Sequence, residues 1–145
     1  MRTEVRKKAL FFIALAVTAF FLNFCWESIH GLLYEAHPAM AASDYVPMML
    51  FMALMDALGI TALYGLTALV ARRWFWSGLR NSSFFLLSGL VAAYAVEYIS
   101  LFELHLWHYR GSMPTLFGIG LFPLFQISLT AFFSLFVARR ISPSR

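Results

Sequence analysis

The chain has 145 residues, of which 61% are hydrophobic, 18% aromatic and only 12% charged, with a net charge of +4. Soluble domains carry roughly a quarter charged residues, and the mean hydropathy here is +0.75. That excludes a water-soluble enzyme or a disordered tail. A polytopic, all-α membrane domain spanning residues 1–145 is expected, with the positive charge serving topology and lipid headgroups rather than a nucleic acid.

Four apolar segments run along the chain, Ala9–His30, Pro47–Ala71, Phe84–Leu106 and Thr115–Ala138. Each has the ~20 residues that a helix needs to cross about 30 Å of hydrocarbon. A four-transmembrane-helix bundle is predicted. The first segment follows Lys7 and Lys8 as a signal peptide would. It is longer than a signal core, though, and Asn23 and Glu27 interrupt it, so it reads as an uncleaved span. Gly31 is a helix stop, and the loop from Gly31 to Val46 is amphipathic and suited to lie over the outer end of the bundle.

The second span carries Ala53, Ala57, Gly59, Ala62, Gly65 and Ala68, small residues that allow helices to approach closely. Its Met48, Met49, Met52 and Met55 read as a lipid or helix-packing face. Asn81, Ser82 and Ser83 are expected to cap the third span, and Ser112 with Pro114 to open the fourth. Pro123 is expected to kink that fourth span. The single cysteine, Cys25, excludes an internal disulfide and reads as a small buried apolar residue.

Ten of the eleven Lys and Arg residues precede the first span, lie between the second and third, or follow the fourth; only Arg110 falls on the other side. The positive-inside rule then places both termini in the cytoplasm, in a topology suited to a prokaryotic inner membrane. Trp74 and Trp76 fall where an inner aromatic belt belongs, and Tyr34, Tyr45, Trp107 and Tyr109 where an outer one belongs.

Within these spans stand Glu27, Asp56 and Glu97, together with Asn23 and Gln126. A charged carboxylate at the bilayer centre costs about 2.5–3.5 kcal/mol on insertion scales, so such residues face a protein interior and mark a site. Asn23, Glu27 and His30 are spaced to share one face of the first span. Glu97 shares a face with Ala93 and Ser100, flanked by Tyr94, Tyr98 and His105. Gln126 and Thr130 are one turn apart. Directed inward, these faces would make one polar chamber in the outer half of the bundle, roofed by histidines. A carboxyl group kept protonated by burial is what a general acid requires. The alternative is that these groups only join helices by hydrogen bonds.

Glu27-x-x-His30 has the spacing of bundle carboxylate metal sites, but those need two copies and two further Glu. His105-x-x-His108, on another helix, could complete a site with Glu27 and His30. A haem between His30 and His105 has no supporting redox motif. No cofactor and no metal are therefore expected, and no Gly-x-Ser-x-Gly, P-loop or His-Glu-x-x-His occurs.

The stretch Asn23-Phe24-Cys25-Trp26-Glu27 resembles the Asn-x-x-Trp-Glu element of the integral-membrane terpene cyclases of fungal meroterpenoid pathways. Those proteins are helical bundles with intramembrane acids, one of which protonates an isoprenoid substrate. The resemblance implies that Glu27 is the acid and that Asn23 and Trp26 are its neighbours. It covers five residues, and this chain has fewer spans than those cyclases.

The leading expectation is a small membrane enzyme acting by proton transfer on a lipid-soluble, isoprenoid or sterol-like molecule. Glu27, Asp56 or Glu97 would supply the proton, and His30 or His105 would relay it. Asn23, Trp26, Tyr94, Tyr98 and Gln126 would shape the substrate site. Two alternatives stand beside it: a non-catalytic accessory or scaffold subunit of a larger membrane complex or homo-oligomer, and a small proton-coupled transporter.

Overall fold

A computed structural model describes residues 2–142; Arg145, one of the basic residues that set the topology above, lies outside them. Helix α1 (Arg2–His30) is followed by two short 3-10 turns, Gly31–Leu33 and His37–Ala39, and by α2 (Ala42–Ala71). Helix α3 (Leu79–Tyr98) widens into a π turn over Ile99–Glu103. A small antiparallel hairpin, β1 (Thr115–Leu116) and β2 (Ile119–Gly120), leads into α4 (Leu121–Ile141). All four helices are long and apolar enough to cross a membrane.

Large apolar residues cover their outside, and several polar ones lie within. Ile13, Phe21, Leu58, Leu69, Val91 and Phe132 face outward, while Asn23, Gln126, Thr130 and Ser134 are buried. In lipid an exposed leucine costs nothing, so an apolar exterior is compatible with an interior that also holds polar and small residues. Helix α1 packs along both α2 and α4, and α4 packs along α3. Helices α2 and α3 touch only sparsely, which leaves a cleft between them.

The half that holds the start of α1 and the end of α4 is a solid core of Phe11, Leu15 and Ala19 on α1, Ile60 and Tyr64 on α2, Phe85 on α3, and Ala131, Leu135 and Ala138 on α4. Trp76 belongs to this core and not to an aromatic belt. It is 2% exposed, packs on Tyr64 and Phe85, and carries the Arg139 guanidinium 4.8 Å above its ring. Trp74, two residues earlier, does stand at the surface, with Lys8 5.4 Å from its ring centre.

Several local expectations change for identifiable reasons. Helix α3 starts directly after Gly78, at φ 89°, with no side-chain cap. Asn81 lies inside its first turn and donates back to the Ser77 carbonyl at 3.0 Å. Residues 115–120 fold as the hairpin because Phe117 and Gly118 take left-handed φ values of 52° and 81°, the paired positive φ of a two-residue turn. Neither Ser112 nor Pro114 therefore opens the fourth span. Pro123 falls in the first turn of α4, where its missing N–H interrupts no helical bond, so the expected kink has no cause. Helix α2 starts at Ala42, which puts Pro47 inside it. Cys25 is exposed on the outward face of α1. Gly31 is required by space: a Cβ there would lie 2.9 Å from the Tyr45 hydroxyl and 3.2 Å from Met49 Sδ.

Candidate functional site

Helical spacing puts Asn23 and Glu27 one turn apart on α1, and Gln126 and Thr130 one turn apart on α4. With Asp56 on α2, these side chains meet in the half of the bundle away from the start of α1 and the end of α4. Gln126 is the hub. Its Nε2 donates to Glu27 Oε1 and Asp56 Oδ2, both at 2.7 Å, and lies 3.1 Å from Asn23 Oδ1. Asn23 Oδ1 also accepts from the Thr130 hydroxyl at 3.1 Å, while its own Nδ2 donates to the Ala19 carbonyl at 2.8 Å. An amide nitrogen has two protons, and here it faces three oxygens. Glu27 and Asp56 are thus brought to one amide nitrogen, and a proton shared between them would complete the network.

Glu97 on α3 is differently served. Tyr34 Oη donates to Oε1 at 3.1 Å, Trp107 Nε1 donates to Oε2 at 3.3 Å, and Tyr109 Oη also donates to Oε2. The Gly120 amide donates to Tyr109 Oη at 3.0 Å. Burial first, and then Glu97 itself, pushes both phenols above the ordinary tyrosine range, which keeps them as donors. Tyr34 and Tyr109 also form a backbone bridge between the two outer loops. Beside it the Glu35 amide donates to the His108 carbonyl at 2.9 Å, and the Arg110 amide to the Leu33 carbonyl at 2.8 Å. Glu97 is thus a clasp that ties both loops down over α3.

The belt reading of Tyr34, Trp107 and Tyr109 missed this role. The signal available was indirect: an intramembrane acid needs donors, and these were the nearest ones outside the spans. Glu97→Gln would replace one acceptor oxygen by an NH2, which then faces either the Tyr34 donor or the Trp107 and Tyr109 donors. Leaving buried polar groups unpaired costs about 1–3 kcal/mol. The expected result is faster hydrogen exchange at the Glu35 and Arg110 amides, with protection of α1 and α4 unchanged.

Two cavities meet at these acids. One, of about 600 Å³, lies in the cleft between α2 and α3 against α4. Glu27, Asp56, Glu97 and Gln126 form its polar end, and Gly59, Ala62, Leu66, Ala92 and Val96 are among its apolar walls. Gly59 and Ala62 thus line space here and do not mediate the close helix contact expected of them. The other cavity, of about 590 Å³, lies under the outer loops and is walled by Met40, Met48, Met49 and Met52, with His37 and His108 at its rim. Glu27, Met52, Glu97 and Trp107 line both. Met48, Met49, Met52 and Met55 therefore all line these cavities, Met55 half exposed at the cleft edge.

The remaining candidates separate. His30 is buried; its Nδ1–H donates to the Trp26 carbonyl at 3.2 Å and lies 3.9 Å from Glu27 Oε2. Its Nε2 has no partner among the described residues. Trp26 is half buried and lines neither cavity. Tyr94 and Tyr98 stack on each other on the exposed side of α3, and Tyr98 packs on Phe102. His105 is exposed, with φ 51°, and its ring pairs with the Leu101 carbonyl at 3.0 Å. Among the described residues, no three His, Cys, Asp or Glu are placed to hold one metal ion. The set Glu27, His30, His105 and His108 is not assembled.

No protein-family model, curated protein or solved structure matches the chain.

Proposed function

We propose that this chain is a membrane-embedded isomerase or cyclase that protonates a lipid-soluble, isoprenoid or sterol-like substrate from the Glu27–Asp56 pair. One observation carries the reading. Two carboxyl groups sharing one amide donor stand at the head of an apolar cavity of about 600 Å³. Helix glue alone needs neither ionisable groups nor empty space beside them.

The step balances without a co-reactant. The shared proton adds to a carbon–carbon double bond, forming a C–H bond and a cation that the neighbouring Trp107 face can stabilise. The cation rearranges or closes a ring, and the carboxylate left behind removes a proton from an adjacent carbon. The pair is then restored. Gln126 and Asn23 position the acids, His30 is the neighbour able to exchange protons with Glu27, and Glu97 holds the roof closed. The resemblance of Asn23, Trp26 and Glu27 to proton-initiated membrane cyclases agrees with Glu27 as part of the donor.

We place both termini in the cytoplasm of a prokaryotic cell, with the acids in the outer half of its inner membrane. Lys8, Arg72, Arg139 and Arg140 gather at the helix ends near Trp74 and Trp76, while Glu35, His37 and His108 lie at the opposite end.

Proton transfer to carbon can be detected before the substrate is identified. Membranes containing the protein, incubated in D2O, are expected to yield a lipid carrying one non-exchangeable deuterium, absent from membranes without it. If mass spectrometry of the lipid extract finds no such species, and the protein leaves the membrane bound to other subunits, the accessory role replaces the enzymatic one.

A further inference from the structure

The α2–α3 cleft has a shape that the reaction alone does not require. Its polar groups are confined to the outer end. Below Asp56 its α2 wall runs through Gly59, Ala62 and Leu63 to Leu66, opposite Ala92 and Ala93 on α3. From Met52 to Leu66 the cleft follows α2 for about 21 Å at ~1.5 Å of rise per residue, two-thirds of an about 30 Å hydrocarbon core. Its edges are Met55, Leu66 and Val96, each roughly half exposed. In a bilayer those edges face lipid, so the cleft opens sideways into the membrane.

Gly59 is an exposed position of α2 on the cleft wall with open space beside it. A Cβ built there meets nothing within 4 Å. The same is true of Gly65, one and two-thirds turns further along α2, but Gly65 is not part of the cleft wall.

Resting on the enzymatic reading, we infer that the substrate is a single-chain amphiphile that enters laterally between α2 and α3. Its flexible chain lies along the Gly59–Leu66 wall, and its hydrogen-bonding end points outward past Glu27 and Asp56 into the methionine-lined cavity. Only a molecule already dissolved in the bilayer reaches such an opening. Only one with a polar end satisfies the single cluster of acids and amides at its head. The two cavities meeting at Glu27 and Met52 place the reacting bond along the molecule and not at its tail tip. Isoprenoid and acyl chains share this chemistry.

The test is binding of geranylgeraniol and of oleyl alcohol to the full chain, delipidated in mild detergent and read as adducts by native mass spectrometry. The unaltered protein is expected to hold one alcohol per chain. Gly59→Leu places a branched side chain in the path and is expected to weaken binding at least about tenfold, whereas Gly65→Leu, equally unhindered, leaves it unchanged and controls for folding. Binding of geranylgeraniol alone assigns an isoprenoid chain; equal binding of oleyl alcohol assigns any chain of that girth. Undiminished binding by Gly59→Leu, or no binding of either alcohol by the unaltered protein, overturns the inference. Deuterium transfer is read separately, so normal chain binding without transfer would instead remove the catalytic reading and leave the cleft a lipid-binding site.

Discussion

Asp56→Asn is expected to lower deuterium transfer into lipid by at least about 10²-fold, the lower end of what a positioned general acid contributes, while the protein stays folded. The substitution is chosen to conserve everything except ionisation. The asparagine oxygen can still accept from Gln126 Nε2, which now lies 2.7 Å from Asp56 Oδ2, and its NH2 can donate to Glu27 in place of the shared proton. The network is therefore complete, but it holds no proton acidic enough to leave. Glu27→Gln should do the same from the other side. Because the two acids act as one donor, the double variant should be little worse than either single one, as for catalytic groups that work as a unit. Losses that multiplied would mean that each acid acts alone. A variant that folded and transferred deuterium at the normal rate would remove the pair from the chemistry.

The bundle and the meeting of Asn23, Glu27, Asp56 and Gln126 were legible in the sequence because both follow from strong one-dimensional signals. A run of about 20 apolar residues has few other uses, and polar residues one turn apart within such a run must share a buried face. What escaped was set by contacts distant in sequence. Nothing local distinguishes Trp76, folded into the core under Arg139, from Trp74 at the surface. Tyr94 and Tyr98 flank the face of Glu97 on a helical wheel, but they stand on the exposed side of α3 and line neither cavity. The hairpin at 115–120 was hidden inside an apolar run because β1 and β2 are as hydrophobic as the helix they precede. Gly59 reads as a packing residue by composition, and only the sparse contact of α2 with α3 makes it a cavity wall.

Gln126→Leu is expected to cost about 3 kcal/mol of stability, well above the average of about 0.6 kcal/mol for a hydrogen bond between membrane helices. The difference lies in what is left behind. A leucine fills the volume but offers no donor, so Glu27 Oε1 and Asp56 Oδ2 lose theirs together, and each buried acceptor left unpaired costs about 1–3 kcal/mol. Asn23 loses less, since its oxygen keeps a share of the single Thr130 hydroxyl proton, which also reaches the Gln126 carbonyl. Thr130→Val is the matched comparison. Its hydroxyl also has a helix partner, the Gln126 carbonyl at 2.8 Å, so its loss should stay near the average. Unfolding in mixed micelles, followed by circular dichroism, reads both. Equal, small effects would mean that Glu27 and Asp56 satisfy each other without the amide, and the proton between them would then be held by the pair alone. A large effect confined to Gln126→Leu would identify the amide as the group that fixes the two acids to α4, and with them the distance from the proton to the head of the cleft.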